Sequence, residues 1–189
     1  EPFMTEETME EEIAKNPYGF EELVATKYQK QAGAFIVRPR MEECVEQVVK
    51  KEYPIHFETI CQRICPLLGR DKVTSVVQKE VLDILISQKR KGKILCQEDF
   101  YFPAGYKEVP VRQANGRSIK HISVEELAAG MFRIAKTCIG CSREMLINET
   151  IRAFGFNRKG SNITTAMDRA YMLLINGKKI QEVEGKVLV

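Results

Sequence analysis

Residues 154–163 read FGFNRKGSNI. Two glycines, two cations and a serine stand directly before a helical pattern, as they would in a loop that grips phosphate. Such a loop must follow a buried strand, so that its backbone N–H groups point at the phosphates. Here the preceding apolar residues Met145, Leu146 and Ala153 fall at helical spacing instead. Gly155 therefore reads as a helix C-cap, and Gly160-Ser161 as the start of the next helix. The stretch is the turn between two helices, and the nucleotide-loop reading is rejected.

Working outward, the following helix carries Ile163, Met167, Ala170, Tyr171 and Leu174 on one face and stops at Asn176-Gly177. Residues 178–189, KKIQEVEGKVLV, read as strand, Glu-Gly turn, strand. Upstream, Ser123 and Glu126 have capping-box spacing, and Val124, Leu127, Ala128, Met131, Ile134 and Ala135 follow at helical spacing. After CIGC (138–141), Ser142 is placed to cap the helix that leads into Gly155.

The same order occurs earlier in the chain. Met41, Cys44, Val45, Val48 and Val49 mark a helix ended by Pro54. Ile60, Cys61, Ile64, Cys65 and Leu68 mark a second, ended by Gly69. Val73, Val76, Val77, Val81, Ile84 and Leu85 mark a third, ended by Gly92, and KILCQEDFYF (93–102) reads as a hairpin. The repeat offset is about 86 residues. It sets Gly69 on Gly155, Ile60 on Leu146, Val77 on Ile163, Val81 on Met167 and Ile94 on Ile180. Helix, helix, turn, helix and a two-stranded wing together spell a winged helix-turn-helix, an inference from element order. The expected class is α+β, mostly helical, with tandem winged helix-turn-helix units and small hairpin wings.

The expected organisation is an acidic helical lead-in (1–37), a first winged-helix unit (38–103), a linker (104–120) and a second unit (121–189). In the lead-in, MTEETMEEEIAK (4–15) reads as a short acidic helix, NPYGF breaks it, and a second weak helix is expected over 20–32. The linker, PAGYKEVPVRQANGRSIK (103–120), is rich in proline and glycine.

The net charge of +3 conceals an asymmetry. Residues 1–30 hold eight acids against three lysines, so the remainder of the chain is basic enough to tolerate nucleic acid without demanding it. No apolar run has the length of a membrane span and no signal-peptide pattern appears, which leads us to expect a soluble, cytoplasmic protein with no membrane partner. The six cysteines lie mostly among helical patterns and are expected to be reduced thiols. The first residue is not methionine, so a piece of a longer protein is the expectation.

Beyond these patterns, PIHFETICQRICPLLG (54–69), VLDILISQKRKGKI (81–94), ISVEELAAGMF (122–132), REMLINETIRAFGFNRKGSNI (143–163) and AYMLLINGKKI (170–180) resemble a known family. The chain is similar over residues 38–189 to the C-terminal domain of unknown function of large bacterial superfamily-1 helicase-like proteins. Its most specific elements are Pro54-Ile55-His56 and the spacing of Gly155, Phe156, Arg158 and Gly160. The resemblance implies a role beside DNA-handling machinery, with helicase and nuclease domains upstream as partners. It supplies no catalytic residue here. The chain has no G-x-x-x-x-G-K-[ST], so the ATPase of such a protein lies outside it.

Candidate faces follow from helical angle. Opposite the apolar face of the last helix lie Arg158, Asn162, Thr165 and Arg169, the face that enters a DNA groove in a helix-turn-helix. Arginine can pair with guanine, asparagine with adenine, and threonine can touch a thymine methyl. Lys159, Lys178 and Lys179 add phosphate-directed charge, although Glu182 and Glu184 dilute the second wing. The plain alternative is a solvated polar face, since many winged helices bind proteins.

The first unit is a poorer reader. Ser75, Lys79, Leu82 and Ile86 lie opposite its apolar face, and Leu82 and Ile86 fit a helix buried on both sides against a partner. Lys89, Arg90, Lys91 and Lys93 suit a helix C-terminus first and phosphate second.

Cys138 and Cys141 form a lone C-x-x-C without the further ligands that structural zinc needs, and Cys61, Cys65 and Cys138 sit at apolar helical positions, so buried free thiols are preferred over a metal or redox site. His56 is expected to serve a turn and cap, and His121 shows no evident partner. No nucleophile–base–orienter set, metal site or cofactor site is expected, and the chain is read as no enzyme. Two functions remain open: a non-catalytic nucleic-acid-binding accessory module acting on DNA, duplex or single-stranded, and a protein-interaction scaffold docked through Leu82 and Ile86.

Overall fold

The structure, a computed structural model, describes residues 6–31 and 36–189. Its described residues form seven α-helices and five short strands. The chain divides into two compact units. Of the described residues, the first comprises those within Leu23–Pro110 and Lys120–Ser123; the second comprises those through Glu22, Val111–Ile119 and Val124–Val189. Among the described residues no helix is long and apolar enough to cross a membrane.

In the first unit, α2 (Arg38–Glu52) buries Met41, Cys44, Val45, Val48 and Val49, the stripe its spacing predicts. Strand β1 (Ile55–His56) leads into α3 (Phe57–Ile64), a 3₁₀ turn (Cys65–Leu68) and α4 (Ser75–Arg90). His56 caps α3, its Nδ1 accepting from the Glu58 amide at 3.1 Å, and Thr74 caps α4 by accepting from the Val77 amide. Strands β2 (Ile94–Gln97) and β3 (Phe100–Pro103) pair antiparallel, and β1 pairs with β3, giving sheet order β1-β3-β2. Side chains such as Ile60, Ile64, Val81 and Ile84 are fully enclosed, each removal from water contributing roughly 1.5–3 kcal/mol.

In the second unit, α5 (Val124–Thr137), α6 (Arg143–Phe154) and α7 (Ser161–Asn176) precede β4 (Gln181–Val183) and β5 (Lys186–Leu188), an antiparallel hairpin. The offset found in the sequence survives in detail. Gly69 and Gly155 both take left-handed φ, +66° and +90°, as helix C-caps, a conformation that favours glycine. His56 and Ser142 stand at the same repeat position and both N-cap the middle helix; Ser142 Oγ accepts from the Met145 amide. The turn residues Glu98 and Asp99 match Glu184 and Gly185, and all four have positive φ. Even the pairing of Ile55 with Tyr101 has its counterpart, as the Val187 amide donates to the Cys141 carbonyl at 2.8 Å.

Some expectations need correction. Val76 and Met145, expected inward, are 56% and 63% exposed, while Ile147, Thr150, Ile151 and Phe154 are buried on α6. Leu68 gives its core place to Leu67, because residues 65–68 wind as 3₁₀ with three residues per turn.

The acidic helix of the lead-in is present as α1 (Glu6–Lys15); residues 4 and 5 of its expected span lie outside the described residues. The helix expected over 20–32 does not form in its described part, and residue 32 lies outside it. Its backbone groups are used elsewhere. In the second unit the Glu21 amide donates to the Val111 carbonyl, and the Gln113 amide donates to the Glu21 carbonyl. In the first unit the Thr26 amide donates to the buried Glu52 carboxylate, and the Gln31 amide to the Pro66 carbonyl. Tertiary partners for extended backbone outweigh a weak helical propensity.

Within the stretch read as a linker, Val111, Arg112 and Ala114 are buried in the second unit. The Arg112 and Arg117 guanidiniums both reach Glu126 of α5, each with a 3.0 Å ion pair. Glu126, expected as the far half of a capping box, is thus the buried acceptor for two cations.

Candidate nucleic-acid interface

The site is built on the α6–turn–α7 segment. The Gly155 amide donates to the Arg152 carbonyl and the Phe156 amide to the Ile151 carbonyl, closing α6 and turning the chain. Gly160 then takes the N-cap position with φ −83° and ψ 161°, and α7 begins at Ser161. Met167, Ala170, Tyr171 and Leu174 are buried, and Ile163 is partly so. This fixes the rotation of α7 about its axis.

The consequence is geometric. Asn162, Thr165 and Arg169 are exposed along one face of α7, with Arg158 and Lys159 exposed in the turn before it. No acid stands in the first turn of α7, so its positive dipole end faces outward beside two cations. Lys159 is oriented by the Asn148 side chain, whose Oδ1 accepts from its ammonium at 2.9 Å. Asp168, the acid nearest this face in sequence, is paired with Arg143 at 3.0 Å. The Arg143 guanidinium also lies 4.5 Å over the Tyr171 ring.

Lys178 and Lys179 are exposed just past α7. Lys179 and the unforeseen Lys136 both approach the Phe132 ring, at 5.9 and 5.0 Å. In the second hairpin, Glu182 accepts from the Tyr171 hydroxyl at 2.8 Å; burial first, and this bond second, push the phenol up to about 12. The exposed face of α7 changes character along its length, because Met172 and Leu173 are 42% and 43% exposed. Met172 and Ile175 line a groove of about 600 Å³ with Lys178 and Lys179.

The first unit presents a different face. Leu82 and Ile86 are 42% and 47% exposed on α4. Among the cations near its end, Lys93 pairs with Glu46 at 2.9 Å and Lys91 with Glu42 at 3.8 Å, both acids on α2.

The expectation that His121 lacks a partner is corrected. Its Nε2 lies 2.8 Å from Glu58 Oε2, and its ring centroid is 4.9 Å from that of His56. Lys120 donates to Glu58 Oε1 at 2.6 Å. These two donors, Lys120 first, hold the Glu58 carboxyl down to about 2. Burial, then the nearby His121, lowers the His56 imidazole from its ordinary value. The partners lie far apart in the chain, so no local sequence signal could have joined them.

All six cysteines are free thiols. Cys44, Cys61, Cys65 and Cys141 are buried, whereas Cys138, expected to be buried, is partly exposed; desolvation pushes the Cys61 thiol up to about 12. No protein-family model, curated protein or solved structure matches the chain.

Proposed function

We propose that this chain is a non-catalytic nucleic-acid-binding accessory module of a helicase-like DNA-processing protein, built from two winged-helix units. The observation that carries the reading is the α7 face. Asn162, Thr165 and Arg169 are exposed together, behind Arg158 and Lys159, at a helix end free of first-turn acids. The winged-helix assignment is supported by the first unit's order of helix, short strand, helix, turn, helix and hairpin, with sheet order β1-β3-β2. In this reading the cations dock on phosphates and α7 enters a groove, where Arg169, Asn162 and Thr165 meet base edges. The motor and nuclease domains of such a protein, in this reading, lie upstream and are its partners.

The test is fluorescence anisotropy with labelled duplex and single-stranded DNA across a salt series. Binding that weakens steeply with salt and is lost in Arg158→Ala/Arg169→Ala supports the reading. Affinity unchanged in that double variant removes α7 as the reading face.

A second reading has its own observation. Leu82 and Ile86, one turn apart, are exposed aliphatic residues on α4, the helix equivalent to α7. A protein partner docked there would bind with little salt dependence, and Leu82→Glu would abolish that association while sparing DNA binding.

A further inference from the structure

The chain contains two histidines, and both stand beside Glu58: His121 at its carboxylate, and His56 at its backbone amide. His56 ends β1 and caps α3; Glu58 is in the first turn of α3; His121 ends a 3₁₀ turn (Ile119–His121). His56, Glu58 and His121 belong to the same compact unit. Each offers one ligand atom, and the three atoms lie within 4.8 Å of one another. We propose that His56, Glu58 and His121 form a binding site for one divalent transition-metal ion of the zinc class.

The geometry is close to what such an ion needs. Bonds of about 2.0–2.1 Å in a tetrahedron hold ligand atoms roughly 3.3 Å apart. The observed set, with one separation of 2.8 Å and none above 4.8 Å, closes around an ion with modest side-chain shifts. Two imidazoles on one tetrahedral ion put their ring centroids roughly 5 Å apart, and the rings of His56 and His121 stand 4.9 Å apart. Two imidazoles and one carboxylate suit zinc-class ions, with a water in the fourth position. The site is also held from behind. His56 is 6% exposed, packs edge-on against Phe100 with centroids 5.1 Å apart, and pairs with Phe100 in the sheet.

The ion has competitors, and they define the chemistry of binding. At His121 it takes the place of the proton directed at Glu58, and that proton leaves to solvent. At His56 the Nδ1 nitrogen already accepts from the Glu58 amide at 3.1 Å, so an ion bound through that nitrogen loosens the cap on α3. The Lys120 ammonium must swing off Glu58, which its exposed four-carbon stem permits. Binding therefore strengthens as pH rises through the imidazole range. The ion would staple the returning segment Lys120–Ser123 to the head of α3, a structural role separate from DNA binding.

The experiment is a titration of the full chain with zinc chloride, followed by NMR of the imidazole C–H signals. With only two histidines, assignment is direct. The expected result is that both imidazoles shift together and saturate at one equivalent. His121→Ala and Glu58→Gln are each expected to weaken that binding by at least about tenfold. Unmoved imidazole signals overturn the proposal, whether zinc stays free or goes to the thiols. So does a shift of one imidazole alone, or full affinity in Glu58→Gln. The main readout uses the unsubstituted chain, so it stands whether or not a His56 variant folds.

Discussion

Replacing Glu126 with glutamine should be among the most damaging single changes in the second unit. Its side chain is fully buried, and it holds two guanidiniums that are themselves 5% and 10% exposed. Arg112 reaches it through its backbone amide, Nε and a terminal nitrogen, all at 3.0–3.1 Å. Arg117 reaches both carboxylate oxygens. Glutamine keeps the shape but removes the charge, and turns an N–H group toward donors. Removing one partner of a buried ion pair costs about 3–5 kcal/mol, because a buried charge is left without its counterion. Two cations share this one anion, which points to the upper part of that range.

The assay is urea unfolding followed by circular dichroism. With a slope of about 1–3 kcal/mol per molar, the midpoint should fall by at least about 1 M. The loss should also release the turn at Glu21, whose backbone pairs with Val111 and Gln113 beside Arg112. Amide exchange at Glu21 and Gln113 reads that directly. A loss below about 1 kcal/mol would put the cluster in the range of solvent-exposed pairs and refute the reasoning. The triple variant Arg112→Met/Glu126→Leu/Arg117→Met should recover most of the stability, since an apolar replacement leaves no orphaned charge.

Gly130→Ala should destabilise rather than help. Alanine normally gains about 1 kcal/mol over glycine inside a helix, but its Cβ here would stand 2.8 Å from the Phe154 ring and 3.1 Å from Phe20. A net loss of about 1–3 kcal/mol in thermal or urea unfolding is expected, and a gain would mean that the Phe20–Phe154 pair yields easily. In native labelling with a maleimide followed by peptide mass spectrometry, Cys96 and Cys138 should react first. Cys61, buried with its thiol pushed up to about 12, should react only on unfolding; prompt labelling of Cys61 would contradict its burial. The Arg152 hydrogen bond first, and the Tyr18 hydroxyl second, hold Glu149 below its ordinary 4.5. A folded value below the unfolded one contributes stability above the unfolded value and loses it as pH falls. The wild type should therefore lose stability more steeply than Glu149→Gln between about pH 5 and pH 3, and equal slopes would dismiss that contribution.

Much of the fold was legible because its signals are local. Apolar spacing predicts the stripes Met41–Val49 and Met167–Leu174, and those residues are buried as expected. Gly69 and Gly155 announce left-handed caps, and Ser142 announces a helix start. The offset of about 86 residues aligns caps, turns and core positions, since both units meet the same geometric demands. The α7 face was legible for the same reason: burying Met167, Ala170 and Tyr171 forces Asn162, Thr165 and Arg169 outward.

What the tertiary structure decided involves partners far apart in the chain. Residues 20–31 carry weak helical propensity, but extended backbone there finds Val111 and Gln113 in one unit and Glu52 and Pro66 in the other. Residues 111–117 look like linker by composition, yet Glu126 draws Arg112 and Arg117 inward. Met145 and Val76 match an apolar spacing and still face outward, because periodicity fixes a stripe but not its edges. The meeting of His56, Glu58 and His121 was wholly hidden. Helical and turn preferences act within a few residues, whereas a buried carboxylate or a shared cluster is chosen by which distant groups can satisfy it once the chain has closed.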